Sequence, residues 1–416
     1  MRRMWPAMCL LIACLLITCQ CAVQVALADG EHKLTTSDRQ VIATSAAWPA
    51  VITLEDGSVA MMYQLARPQR DFDATNVCML FIRSTDNGKT WSEPVLVGER
   101  HGPDGELFES KPDGGTISFQ ERNEAMGQLP SGRIVAVWCR LNYHYNADGS
   151  DGEAPDVGRI HTNLGVVHTW SDDLGKTWVE PRYMDLGPFM CPNHAISPHW
   201  RIVTLEDGTA IMSLYGDLNP NYDGPVRIPE NAQTFAGVMR STDNGETWSD
   251  PSVIMHKQGN LCWEESALCL LDSGRLLSHT RTGAHDIVQY TSDDGGRTWQ
   301  GPAGVTQGGQ QPGGAFQLQS GKLMCTWGNR RAPFGAAAML SYDDGESWDY
   351  ANRVSLAWDA PNGNCGYANN TQTQDGTIIV AYYIMHYAGD NYRRLWGDSK
   401  VYIARFTEEQ FLAAAE

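Results

Sequence analysis

Five stretches of this chain repeat one eight-residue pattern, Ser-x-Asp-x-Gly-x-(Thr/Ser)-Trp, starting at Ser84, Ser171, Ser241, Ser292 and Ser341. A repeat recurring this often makes the chain an array of similar small units, none of which can bury its apolar face alone. The octad has the chemistry of a tight turn. Its Asp carboxylate and Ser hydroxyl can take nearby backbone amides, its Gly can adopt a conformation other residues resist, and its Trp can cap the turn by packing on a sheet. Asp86, Asp173, Asp243, Asp294 and Asp343 are therefore read as structural, with no catalytic part.

A second motif alternates with the first: an apolar run, a turn ending in Asp-Gly or Ser-Gly, and another apolar run. Its glycine falls at Gly57, Gly132, Gly208, Gly274, Gly321 and Gly376. Each copy, such as PAVITLEDGSVAMMY, reads as a hairpin. In the first five units an octad follows, supplying the turn between a third and a fourth strand. The sixth unit lacks the octad. Its third strand is expected near Val401, and the N-terminal stretch around Val41 is expected to add the outer strand and close a ring. The reading is all-β: a six-bladed β-propeller with antiparallel four-stranded blades, forming one domain over residues 29–416.

Residues 1–28 carry the marks of an export signal: Arg2 and Arg3, an apolar run from Met8 to Ile17, and Ala26-Leu27-Ala28 before Asp29. A secreted or periplasmic location follows. Leu11-Ile12-Ala13-Cys14 also resembles a lipoprotein cleavage box, the lesser alternative. No later segment approaches the roughly 20 apolar residues that span a bilayer. A formal net charge of −18 speaks against nucleic acid, whose binding draws on clustered Lys and Arg. Four of the eleven cysteines precede residue 29, and no Cys-x-x-Cys pair follows, so neither a metal site nor a cofactor is expected. Cys139, Cys269 and Cys325 lie in apolar runs, as small hydrophobes do.

The order of strands also selects a functional face. The octad turns and the hairpin turns share one end of each blade; the opposite end collects the starts of the innermost strands and the long loops 141–164, 216–234 and 384–398. Tyr367 lies nine residues before Gly376, and Glu265 nine before Gly274, so both start innermost strands and should meet across the central axis. Arg281 ends the second strand of the fourth unit, Arg330 and Arg331 that of the fifth, and Arg67, Arg70, Asp71 and Asp73 follow that of the first. A Tyr is a poor nucleophile at neutral pH unless a carboxylate takes its proton, and arginines offer planar, bidentate bonding to a substrate carboxylate. His194 and His199 suggest either substrate contacts or, the commoner case near a strand start, ordinary hydrogen-bonding groups, and Glu264 is read as a solvated neighbour of Glu265. His386, Tyr387, Tyr392, Arg393, Arg394 and Trp396 suggest either a sugar platform or a packed lid.

Over nearly the whole chain beyond the signal, these octads and hairpins resemble the sialidases, glycoside hydrolases with a Tyr nucleophile. EESALCLLDSGRLLSHTR and YANNTQTQDG match the family's patterns without a gap. The resemblance implies Tyr367 as nucleophile, Glu265 as its proton acceptor, Asp71 or Asp73 as acid/base, and Arg281 with Arg331 or Arg330 as carboxylate ligands. It also implies a sialylated or other acidic glycan as substrate. One departure stands out. Where the family opens with Phe/Tyr-Arg-Ile-Pro, this chain has Ala46-Ala47-Trp48-Pro49, so Ala47 replaces an arginine. Arg122, Arg201 or Arg67 could compensate. The alternatives are a hydrolase or lyase for another acidic sugar on the same scaffold, and a glycan-binding propeller without turnover.

Overall fold

The computed structural model describes residues 32–68, 75–101, 106–147, 161–189, 196–218, 234–257, 265–386 and 398–416. Apolar runs become strands buried on both faces: every residue of Ala210–Asp217, Gly335–Ser341 and Ile378–Met385 is buried. Such strands lack apolar alternation because each lies between packed neighbours. Their hairpins turn where the sequence marks them, and all six hairpin glycines have φ between 81° and 87°.

Among the described residues the strands form five sheets in a propeller-like, all-β arrangement. Six hairpins suggest six sheets, but the first two units share one ten-stranded sheet. Ala46–Thr53, Val59–Pro68, Thr75–Ser84 and Val95–Gly98 form one antiparallel run; Thr116–Gln128, Ile134–Tyr145, His161–Ser171 and Arg182–Tyr183 form the other. A single parallel bridge, Val77 to Gln120, stitches the two together. Next come a sheet centred on Ala210–Asp217 and the hairpin sheet from Ser266–Leu270 to Gln300–Gly304. The sheet from Gln310–Gln317 to Val354–Ala357, joined by His32–Lys33, follows. In the last sheet, Cys365–Gln372, Ile378–Met385 and Ser399–Phe406 are completed by Asp38–Thr44. The stretch around Val41 thus supplies the outer strand, and the early and late parts of the chain are held in one sheet.

The octads work as turns. In the first, the Thr90 amide donates to Asp86 Oδ1 at 2.8 Å and the Gly88 amide donates to Ser84 Oγ at 2.9 Å. The same two bonds recur at Asp173, Asp243, Asp294 and Asp343. The octad at Ser171 must use glycine, because a Cβ on Gly175 would lie 2.0 Å from the ring of Phe81 in the neighbouring unit. Arginines after two hairpin glycines tie neighbouring octads together. Arg133 bonds Asp172 at 2.7 Å and Glu246 at 3.2 Å; Arg275 bonds Asp293 and Glu346, each at 2.8 Å.

Inside the seam between the first two units, Gln64 Nε2 donates to Glu124 Oε2 at 2.7 Å. Burial lifts the Glu124 carboxyl to about 8, and the bond from Gln64 offsets only part of that. The folded chain therefore keeps a proton that the unfolded chain gives up above its ordinary value of 4.5. Stability contributed by this raised group is fully present below 4.5 and is lost as pH rises toward 8, by up to about 1.4 kcal/mol per pH unit. Glu124→Gln removes that slope. In urea denaturation, the variant should gain on the wild type as pH is raised from 5 to 8; parallel curves would show that Glu124 titrates alike in both states.

Candidate active site

The innermost strands carry an unusual backbone feature at the face away from the octads. Trp48, Asn123, Trp200 and Tyr367 all have left-handed φ, between 48° and 53°, on four different innermost segments. For an aromatic residue this is an outlier costing on the order of 1 kcal/mol or more. At Trp48, Asn123 and Tyr367 the pairing register slips at the same place, so the strained residue sits at a bulge that re-aims its side chain. Trp48 and Tyr367 meet edge to face, centroids 6.0 Å apart, in the cluster that also holds Trp200 and Ala267. Val51, Trp200, Arg201, Ala267 and Gly314 line a small cavity of about 10 Å³.

Tyr367 and Glu265 come together as their spacing suggests: the Tyr367 hydroxyl donates to Glu265 Oε1. Arg281 Nη1 holds the other carboxylate oxygen at 2.9 Å. This second contact is local in origin. Glu265 and Arg281 face each other at the open end of one hairpin, where the Arg281 amide also donates to the Glu265 carbonyl at 2.9 Å. Glu265 is 1% exposed. Burial alone would raise its carboxyl, but Arg281, His199 and the Tyr367 hydroxyl together hold it below its ordinary value, so it stays a carboxylate. Burial and that same carboxylate push the Tyr367 phenol well above its ordinary value, partly opposed by Arg281 and Arg330. At rest the pair is a neutral phenol bonded to an anion.

Arg330 and Arg331 separate. The Arg330 guanidinium lies over the Tyr367 ring at 5.4 Å, tied by Nε to the Cys365 carbonyl at 3.1 Å and by Nη2 to the Tyr383 hydroxyl at 3.4 Å. Arg331 turns the other way, onto Gln307 at 3.1 Å and Tyr350 at 2.8 Å. Ala47 is fully buried. Of its three candidate substitutes, Arg122 lies over the Trp48 ring at 4.7 Å, at the rim of the same cluster. Arg201 is engaged elsewhere, bonding the Asn370 carbonyl and lying over the Phe316 ring. Arg67 lies in a described strand, Val59–Pro68, but its side chain lies outside the described residues, as do Arg70, Asp71, Asp73, His194, Glu264 and the residues from Tyr387 to Trp396.

Asn123 and Tyr215, which the sequence pattern did not single out, lie beside His199 at the same mouth. Asn123 Nδ2 donates to the Tyr215 hydroxyl at 3.0 Å and to Ser197 at 3.1 Å. His199 stacks on Trp200 and meets Tyr367 edge-on, centroids 4.5 and 5.9 Å apart. A signal for these existed. Counting nine back from the hairpin glycines, the rule that picked Glu265 and Tyr367, also lands on Trp48, Asn123 and His199. The five described cysteines are buried free thiols, and among the described residues no group of three His, Cys, Asp or Glu could hold a metal ion.

This chain has relatives among known proteins. It matches the BNR repeat-like domain over residues 120–380 and the BNR/Asp-box repeat over residues 82–93. A sialidase of Paraclostridium sordellii is 24% identical over 260 residues, covering 61% of this chain and 56% of that protein. A sialidase of Bacteroides fragilis is 24% identical over 359 residues, covering 80% of this chain and 59% of that protein. The chain thus spans between half and three-fifths of the length of these relatives. Among solved structures, a protein of unknown function from Dyadobacter fermentans superposes with a TM-score of 0.67 at 18% identity, over 88% of this chain and 97% of that one. The intramolecular trans-sialidase of Ruminococcus gnavus, in complex with oseltamivir carboxylate, gives 0.62 at 16% identity, over 90% and 98%. At such identities the structures share the fold. The chain belongs to the sialidase family of BNR-repeat proteins.

Removing the anion from between Arg281 and Tyr367 strands a buried guanidinium. Glu265→Leu should therefore lower stability by about 3–5 kcal/mol, whereas Tyr367→Phe, which removes one hydrogen bond, should cost about 1 kcal/mol. Equilibrium denaturation of the two variants distinguishes this from a mouth in which Glu265 carries no structural weight.

Proposed function

We propose that this protein is an exo-glycosidase that releases terminal sialic acid, or a closely related acidic sugar, by double displacement, on a six-bladed propeller formed by residues 29–416. The observation that carries the proposal is the Tyr367–Glu265 bond with Arg281 on the opposite carboxylate oxygen. Tyr367 Oη attacks the anomeric carbon and its proton passes to Glu265, while Asp71 or Asp73 protonates the departing glycosidic oxygen. Water, activated by that same Asp, then breaks the glycosyl–Tyr bond, and the proton on Glu265 returns to Tyr367. Arg281 and Arg330 are the carboxylate ligands in this reading; Arg331, bonded to Gln307 and Tyr350, is not. The sialidases among its relatives favour the same reading. Residues 1–28 direct export in it, to a secreted or periplasmic location.

Ala47 supports a second reading in which the scaffold serves another acidic sugar, because it removes a cation from the mouth while Trp48 adds an aromatic wall. One experiment separates the two. The purified protein should hydrolyse a fluorogenic sialoside, and Tyr367→Phe and Glu265→Gln should each lose about 100-fold or more in kcat. Activity should fall as pH drops through the depressed Glu265 value, since the proton acceptor is then occupied. A folded wild type that leaves sialosides intact but turns over another acidic glycoside supports the second reading.

A further inference from the structure

The blade-three side of the mouth holds a buried group that the reaction above does not use. His199 is 3% exposed, and its ring is fixed on several sides. It stacks on Trp200 at 4.5 Å with 22° between planes and meets Tyr215 and Tyr367 edge-on at 6.3 and 5.9 Å. Its backbone is pinned as well, the carbonyl accepting from the Arg201 amide at 3.0 Å and from Ser213 at 3.3 Å. Yet Nε2 is buried with no hydrogen-bond partner among the described residues. Buried polar atoms are rarely left so, and an orphan beside Tyr367 calls for a partner that arrives with a ligand.

The chemistry of that partner can be narrowed. Burial brings His199 down to about 4, with Glu265 pulling it up and Arg281 pushing it down, so the imidazole is neutral in the neutral pH range. A neutral ring nitrogen suits a hydroxyl, which can donate or accept, better than an anion, for which Arg281 and Arg330 are the stronger ligands. His199 and the Asn123–Tyr215 pair thus add neutral hydrogen-bonding groups beside the Tyr367–Glu265 pair and its arginines.

We propose that His199 is a specificity-determining residue whose Nε2 hydrogen-bonds a hydroxyl of the sugar held at Tyr367. The inference rests on the glycosidase reading and narrows it: the substrate presents an anionic group to the arginines and an uncharged hydroxyl to His199.

The test uses the full-length mature protein with His199→Phe, which keeps an aromatic ring on Trp200 but removes the nitrogens, and His199→Gln, which keeps a hydrogen-bonding end. Both are assayed on a fluorogenic sialoside and a series of its mono-deoxy analogues, with thermal unfolding as the check on folding. His199→Phe should lose about 10-fold in kcat/KM on the parent sialoside, chiefly through KM, with His199→Gln recovering part of it. The loss should vanish for one deoxy analogue alone, the one lacking the bonded hydroxyl. A structural role would penalise every analogue equally, and that result overturns the proposal. So does a His199→Phe variant as active as the wild type. If His199→Phe does not fold, the same analogue comparison between His199→Gln and wild type decides. If the wild type turns over another acidic glycoside but no sialoside, the same comparison is made on deoxy analogues of that glycoside; a wild type that turns over neither removes the glycosidase reading and this inference together, an outcome distinct from loss of the inference alone.

Discussion

A carboxylate that is 1% exposed has to be held charged at the mouth of this fold, and much of the architecture around the axis makes that possible. Desolvation opposes the ionised form of Glu265, and Arg281, His199 and the Tyr367 hydroxyl together outweigh it. Arg281 comes from the strand opposite, within the same hairpin; Tyr367 comes from across the axis. Neither contact survives alone as a good bargain, because an unpaired guanidinium or anion in that position would be worse than an apolar core. The hairpin supplies the cation by register, and the packing of sheets about one axis supplies the phenol.

That packing is in turn built from turn chemistry repeated along the chain. The Ser and Asp of each octad satisfy their own amides, so the turns need little from outside. Arg133 and Arg275 then link one octad to the next. Left-handed backbone occurs at both ends, in the octads at Asn87, Leu174, Asn244 and Asp344 and at the mouth at Trp48, Asn123, Trp200 and Tyr367 beside the polar cluster. Strain of this kind persists where surrounding contacts over-determine it, as Tyr383, Trp48 and Arg330 do around the Tyr367 ring.

Most of this was legible in the residues because the determinants are local. Octads, hairpin glycines and the nine-residue count each involve a short stretch, and together they located Tyr367 opposite Glu265 and the outer strand at Val41. What escaped depends on contacts between units. Nothing in the stretch Asn329-Arg330-Arg331 reveals that Arg330 is captured by the Cys365 carbonyl while Arg331 turns to Tyr350. The sharing of one sheet by the first two units hangs on a single parallel bridge. His199 looked like an ordinary strand-start histidine; only the stacking on Trp200 and the orphaned Nε2 set it apart.

The central claim is that Tyr367, with its proton taken by Glu265, forms the covalent link to the sugar. Mass spectrometry of peptides from an acid-quenched steady-state reaction on a sialoside tests it most directly. A peptide containing Tyr367 heavier by one glycosyl unit, and absent from Tyr367→Phe, is the expected result. Turnover with that peptide unmodified and the added mass on another residue would contradict it.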